Sequence, residues 1–199
     1  MKLVLASKNQ HKLVELQTIL SRMGLEVVLE SDVGVDVEVE ETGVTFAENA
    51  MLKAKAVMEA TGMAAIADDS GLVVDALNGE PGVYSARYGG MPTDLDRTML
   101  LLEKMKDVPE EKRTGRFVSA IACALPDGGE VTAEGVCEGQ ILFELRGTGG
   151  FGYDPVFYVP QLGKTFAQAE AEEKNAISHR GNALREFCKV WEASKYADK

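Results

Sequence analysis

The stretch AIADDSGLVVDAL, residues 65 to 77, decides how the fold is read. Two apolar runs, Ala64–Ala67 and Leu72–Val74, meet at two adjacent carboxylates, Asp68 and Asp69, followed by Ser70 and Gly71. The runs have the length and composition of short buried strands. Two anions beside a core are costly unless solvated, paired or bound to a metal. Asp, Ser and Gly also form turns, so the junction reads either as a hairpin turn facing water or as a reactive pair of carboxylates.

Outward from this point, strands and helices alternate. Lys2–Ala6 reads as a strand, and Leu13, Leu16, Leu20 and Met23 follow at helical spacing before Gly24. Leu25–Leu29 reads as a second strand, and residues 30–43 are acidic and irregular. Thr45-Phe46-Ala47-Glu48 is a capping box for a helix that ends at Gly62. Downstream, residues 78–92 read as a loop and Thr93–Lys106 as a helix. Arg116–Leu125 and Glu130–Cys137 flank PDGG as a hairpin, and Gln140–Leu145 reads as a further strand. A polar helix is expected at about 167–175 and a last helix at about 181–195. The expected class is α/β with a mixed sheet, on a single domain over residues 1–199. No G-x-G-x-x-G opens a helix after a strand, and no phosphate-binding P-loop is present.

Composition narrows the function. The chain has 199 residues, 45% of them apolar, and a formal charge of −11. That balance repels nucleic acid and acidic membrane surfaces, so a polyanionic ligand would need a metal and a few local cations. Cys123, Cys137 and Cys188 are widely spaced and form neither a disulfide framework nor a zinc site; reduced thiols and a cytoplasmic protein are expected. The apolar start gives way to polar residues too early for a secretory signal, and no run approaches membrane-spanning length.

Four segments carry candidate chemistry. LASKNQHK, residues 5–12, sets Ser7, Asn9 and Lys12 between a strand end and a helix start, where backbone N–H groups and the helix dipole favour anions. His11 is expected to lie exposed there, with no catalytic part. Glu40 or Glu41, with Asp68 and Asp69, offers oxygen ligands suited to Mg²⁺, which takes a few carboxylates and completes its shell with water and substrate phosphates. GTGGFGYDP, residues 147–155, places Phe151 and Tyr153 among glycines, which suits close approach to a planar ligand. EEKNAISHRG, residues 172–181, adds Lys174, Ser178, His179 and Arg180 before the last helix. No Ser/His/Asp or Cys/His nucleophile set is evident. This inventory fits a Mg²⁺-nucleotide better than a peptide or a sugar.

With EETGVTFAENAMLKAKA (40–56) and PGVYSARYGG (81–90), these segments in this order resemble the inosine triphosphate pyrophosphatase family from residue 3 to about residue 190. Ser7 stands where many members carry Thr, which keeps the hydroxyl. The resemblance implies an elongated mixed sheet with flanking helices, two lobes around an active-site cleft, and a homodimer. It implies Mg²⁺-dependent hydrolysis of non-standard purine nucleoside triphosphates (ITP, dITP, XTP) to the monophosphate and pyrophosphate. By the same resemblance Ser7, Lys8, Asn9, Gln10, His11 and Lys12 would hold phosphates, with Lys53 adding positive charge. Asp69 would be the general base at a strand end on the cleft floor, and Ser70 would touch substrate. Glu40, Glu41, Asp68 and Asp69 would serve the metal. Phe151, Gly152, Tyr153 and Asp154 would line the nucleotide site, and Lys174, His179 and Arg180 would complete it near the base. Two other readings are a septum-inhibition-type nucleotide pyrophosphatase and a non-catalytic nucleotide sensor. SHRG and FGYDP speak against the first, and the intact acidic cluster against the second.

Overall fold

The computed structural model describes residues 1–197. Seven strands form one mixed sheet: β1 Lys2–Leu5, β2 Glu26–Leu29, β3 Ala65–Val74, β4 Thr114–Ala124, β5 Glu130–Ile141, β6 Phe157–Val159 and β7 Lys164–Thr165. Their order is β2-β1-β3-β4-β5-β6-β7. β1 pairs in parallel with β2 and β3, whereas β6 runs antiparallel to both β5 and β7. Five α-helices accompany them: α1 Gln10–Leu20, α2 Phe46–Thr61, α3 Asp94–Lys104, α4 Ala171–Ile177 and α5 His179–Glu192. This is the expected α/β class.

The chain forms two compact units. The first holds Met1–Asp69, Ser119–Gly135 and His179–Lys199; the second holds Ser70–Val118 and Val136–Ser178.

In the first unit, strand alternation sorts the core. Side chains along a strand point to opposite faces in turn. Leu3, Leu5, Ile66, Ile121 and Cys123 join Leu16 and Leu20 of α1 and Leu184, Phe187 and Trp191 of α5. The intervening Val4, Ala65 and Ala67 join Ala54 and Val57 of α2. Alanines fill much of this second face, including Ala50, Ala120 and Ala122, so α2 packs close to the sheet. Thr45 caps α2, accepting from Glu48 N at 3.1 Å.

The second unit is built on aromatic side chains. Phe117 meets Phe157 edge-on at 4.5 Å between ring centroids, and Phe166 lies 5.2 Å from Phe157. Leu72, Val74, Leu101, Tyr153 and Val156 complete this core.

Several expectations change. The two runs around DDSG are one ten-residue strand, β3, and the dyad lies inside it rather than at a turn or a strand end. β5 runs unbroken to Ile141, so Gln140–Leu145 is not a separate strand. Residues 82–90 form short 3-10 turns rather than a plain loop. α4 begins at Ala171, and α5 begins at His179, which places His179 and Arg180 on a helix rather than before one. The PDGG hairpin is present, closed by Leu125 N donating to Gly129 O at 2.9 Å.

Candidate active site

Adjacent residues of one strand face opposite ways, so Asp68 continues the face of Ile66 and Asp69 the face of Ala67. Asp68 therefore points toward α1 and α5, and Asp69 toward α2. The two carboxylates meet different partners.

Asp68 is buried and fully engaged. Its Oδ1 accepts from Ser119 Oγ at 2.6 Å. Its Oδ2 accepts from Lys12 Nζ at 2.8 Å and from Arg180 Nη2 at 3.0 Å and Nε at 3.2 Å. Arg180 is 2% exposed and also donates through Nη1 to Glu15 at 2.6 Å. Burial opposes the Asp68 charge, but Arg180 and then Lys12 outweigh it and hold the carboxyl well below its usual range. Asp68, expected to serve a metal, and Arg180, expected near a base, thus meet in one buried ion-pair cluster.

Asp69 lies on the other face, 7% exposed, with Lys53 Nζ 2.7 Å from its Oδ1. The same ammonium is 2.8 Å from Glu41 Oε1 and donates to the Asp68 carbonyl oxygen at 3.2 Å. Burial raises the Asp69 carboxyl above the ordinary value, and Lys53 offsets this only in part. Burial would lower the Lys53 ammonium, but Asp69 and Glu41 outweigh it and raise it. Two neighbouring carboxyls are thus driven apart by their surroundings.

A cavity of about 390 Å³ in the first unit is lined by Ser7, Asn9, Lys12, Glu41, Lys53 and Asp68 among others. Val37, Val39 and Glu41 alternate into it, whereas Glu38 and Glu40 are exposed. Asn9 caps α1, its Oδ1 accepting from His11 N at 2.9 Å and Lys12 N at 3.3 Å. The first turn of α1 therefore lies beside the cavity with Lys12 next to it. Lys8 pairs with Asp36, and Gln10 and His11 are exposed. His179, at the start of α5, is buried.

Three residues overlooked in the sequence hold this arrangement. Glu15 and Ser119 complete the Asp68–Arg180 cluster. Asn49 is buried, and its Oδ1 accepts from Gly43 N at 2.7 Å, which fixes the loop carrying Glu41. A Cβ on Gly43 would lie 2.6 Å from that same oxygen, so only glycine fits. The ETG of the quoted motif was the available signal: a glycine two residues past an acid, just before a capped helix.

In the second unit, Asp154 organises the glycine-rich loop. Its Oδ2 accepts from Phe151 N at 3.1 Å and from Lys174 Nζ at 2.7 Å. That ammonium also lies 4.8 Å from the centre of the Phe151 ring. Gly150 has φ +68°, and a Cβ there would run into Asp154 Oδ2. Gly152 N donates to Asp94 Oδ2 at 2.9 Å, a contact from α3 that the sequence did not suggest. Tyr153 is buried, with its hydroxyl donating to Ser85 O at 2.7 Å. Ser70, next to Asp69 in the chain, is half-buried.

Among the described residues, no three His, Cys, Asp or Glu side chains converge as a closed metal centre. Glu41 and Asp69 nonetheless suit Mg²⁺, which needs only one or two protein carboxylates when a substrate supplies phosphate oxygens. Their convergence on the Lys53 cation shows that the pair already accommodates positive charge.

The model of the Ham1 family matches residues 3–190. A dITP/XTP pyrophosphatase of Desulforamulus reducens is 53% identical over 191 residues, covering 96% of this chain and 95% of that protein. A dITP/XTP pyrophosphatase of Thermus thermophilus is 52% identical, covering 96% and 92%. The solved structure of a HAM1 protein from Coxiella burnetii superimposes with a TM-score of 0.89 at 42% identity, covering 98% of this chain and 100% of that one. By the extent of these matches, the chain belongs to the Ham1 family.

Proposed function

We propose that the protein is a nucleoside triphosphate pyrophosphohydrolase acting on dITP, XTP and ITP, releasing the monophosphate and pyrophosphate and so clearing such nucleotides from the pool. The observation that carries the reading is the split fate of the dyad: Asp68 is locked as a buried counter-ion by Arg180, while Asp69 pairs with Lys53, which borders the cavity, and has its carboxyl raised. Groups pushed apart in this way mark acid–base assignments. The relatives named above are called dITP/XTP pyrophosphatases, which supports this reading.

Each residue then has a task. The N-terminal turn of α1, with Ser7 to Lys12, receives phosphate oxygens through backbone N–H groups and the Lys12 ammonium. Asp69 accepts a proton from a water whose oxygen bonds the α-phosphorus; the bond to the bridging oxygen breaks, and pyrophosphate leaves. Lys53 steadies the Asp69 carboxylate and can meet negative charge on the departing group. Glu41 and Asp69 would hold Mg²⁺, which when bound supplies Lewis-acid neutralisation of phosphate charge and a more acidic water. Glu40, being exposed, is given no first claim on the ion. Asp68, Arg180, Glu15 and Ser119 position Lys12 and the strand. Ser70, Phe151, Gly152, Tyr153, Asp154 and Lys174 are proposed to meet the nucleoside, Phe151 by stacking. His179 is left with Arg180 in the α5 anchor.

The decisive assay is a panel of nucleoside triphosphates with Mg²⁺, scored for monophosphate and pyrophosphate. XTP, dITP and ITP should give both, EDTA should stop the reaction, and Mg²⁺ should restore it. Release of orthophosphate instead, or full turnover in thoroughly chelated buffer, would sink the reading. We further propose a homodimer working in the cytoplasm. Sedimentation at micromolar concentration should show about twice the 21.5 kDa chain mass; a monomer alone would contradict it. Among the described residues, no helix is long and apolar enough to cross a membrane, and the three cysteines are free thiols.

A further inference from the structure

The Lys53 ammonium has three N–H donors and faces three oxygens: Asp69 Oδ1 at 2.7 Å, Glu41 Oε1 at 2.8 Å and the Asp68 carbonyl at 3.2 Å. Its side chain is 16% exposed, and those of Asp69 and Glu41 are 11% and 22% exposed. Two carboxylates and a carbonyl are the ligand types of a hard divalent cation. The ammonium carries one positive charge, and a divalent ion matches the two carboxylate charges. Lys53 is anchored on α2, whose register is fixed by the Thr45 cap and the close alanine face, so the ammonium is held in place rather than arriving by chance.

We propose that Lys53 is a built-in competitor for the metal site. It occupies the oxygens that the divalent cation needs, and it yields them when the phosphates of an incoming nucleotide offer the ammonium another anionic partner. Cation and polyphosphate then enter together, and the cation alone binds weakly. This rests on the reading of Glu41 and Asp69 as metal carboxylates. It adds that the protein's own cation makes metal loading depend on substrate.

The competition is measurable without turnover. Mn²⁺ alone is titrated into the whole protein, with binding followed by electron paramagnetic resonance of free Mn²⁺ and by calorimetry. Lys53→Met removes the competitor, so the Kd for Mn²⁺ should fall by at least about tenfold, as when a competing state filling about nine-tenths of the population is removed. Lys53→Arg keeps a cation on the oxygens and should bind Mn²⁺ as weakly as the unaltered chain. Circular dichroism checks the fold of each variant, and Lys53→Gln serves if the Met variant does not fold. Equal or weaker Mn²⁺ binding in the neutral variants overturns the proposal, as does tight binding by the Arg variant. Failure of the parent reading has a different signature: no pyrophosphate release from XTP by the unaltered protein, whatever its affinity for Mn²⁺.

Discussion

The Asp68–Asp69 pair of β3 and the glycine-rich loop of the second unit both bury carboxylates, but by different routes. On β3, two adjacent aspartates face opposite ways, so one chain position pairs with Arg180 and the next with Lys53, where we propose the reactive group. In the loop, one carboxylate, Asp154, ties Lys174 and the Phe151 amide at once. The strand separates tasks by geometry; the loop combines them at one oxygen. Chemistry that depends on a group's proton affinity suits the strand, because the neighbour can be paired without neutralising the reactive member. A platform that has only to keep its shape suits the loop.

This contrast is broken most severely at Asp69. Asp69→Asn keeps the shape but removes the proton acceptor and one carboxylate beside Lys53. The expected outcome is a fall in kcat of about 10²–10⁴-fold with little change in thermal stability, the range for a lost general base. A variant retaining more than half of the parent kcat would remove Asp69 from the reaction.

The neighbouring position should give the opposite pattern. Asp68→Asn strips the charge from a buried cluster and removes the ion pairs of that carboxylate with Arg180 and Lys12. Removing one partner of a buried pair costs about 3–5 kcal/mol. Urea denaturation should therefore show an unfolding free energy lower by that amount, read as a lower midpoint with the slope unchanged. If stability is preserved and only kcat collapses, the division of labour along β3 is wrong.

How far the sequence disclosed this division depended on the distance between partners. The Thr45 cap, the PDGG hairpin and the Asp154 loop were legible because donor and acceptor lie within a few residues. The helical periodicities were legible for the same reason. The fate of DDSG was not, because Asp68 meets Ser119, Lys12 and Arg180 across 51, 56 and 112 positions of chain. Without those partners, two carboxylates between apolar runs look like a solvated turn. The ion partners of Arg180 were hidden for the same cause: Asp68 and Glu15 come from a strand and a helix far away in the chain from SHRG. The resemblance to a nucleotide pyrophosphatase family supplied the activity; it could not show which face of the strand each aspartate takes.

The mildest test addresses the loop. Phe151 is half-buried, with Lys174 above its ring and its amide tied to Asp154. If it is a stacking platform, it recognises a π-face that every base has, and it contributes to binding without touching the reacting phosphorus. Phe151→Ala should raise KM by a factor matching about 1–3 kcal/mol, roughly 5- to 150-fold, the range for loss of one base–aromatic stack. The kcat should be nearly unchanged, and the XTP-to-ATP ratio of kcat/KM should move little, because stacking does not read the 6-position. The Asp154–Lys174 pair is retained, so the loop itself should persist. Steady-state kinetics on XTP, ITP and ATP with this one variant check all three points. A fall in kcat as large as that of Asp69→Asn, with KM unchanged, would place Phe151 in the chemical step and erase the contrast between strand and loop.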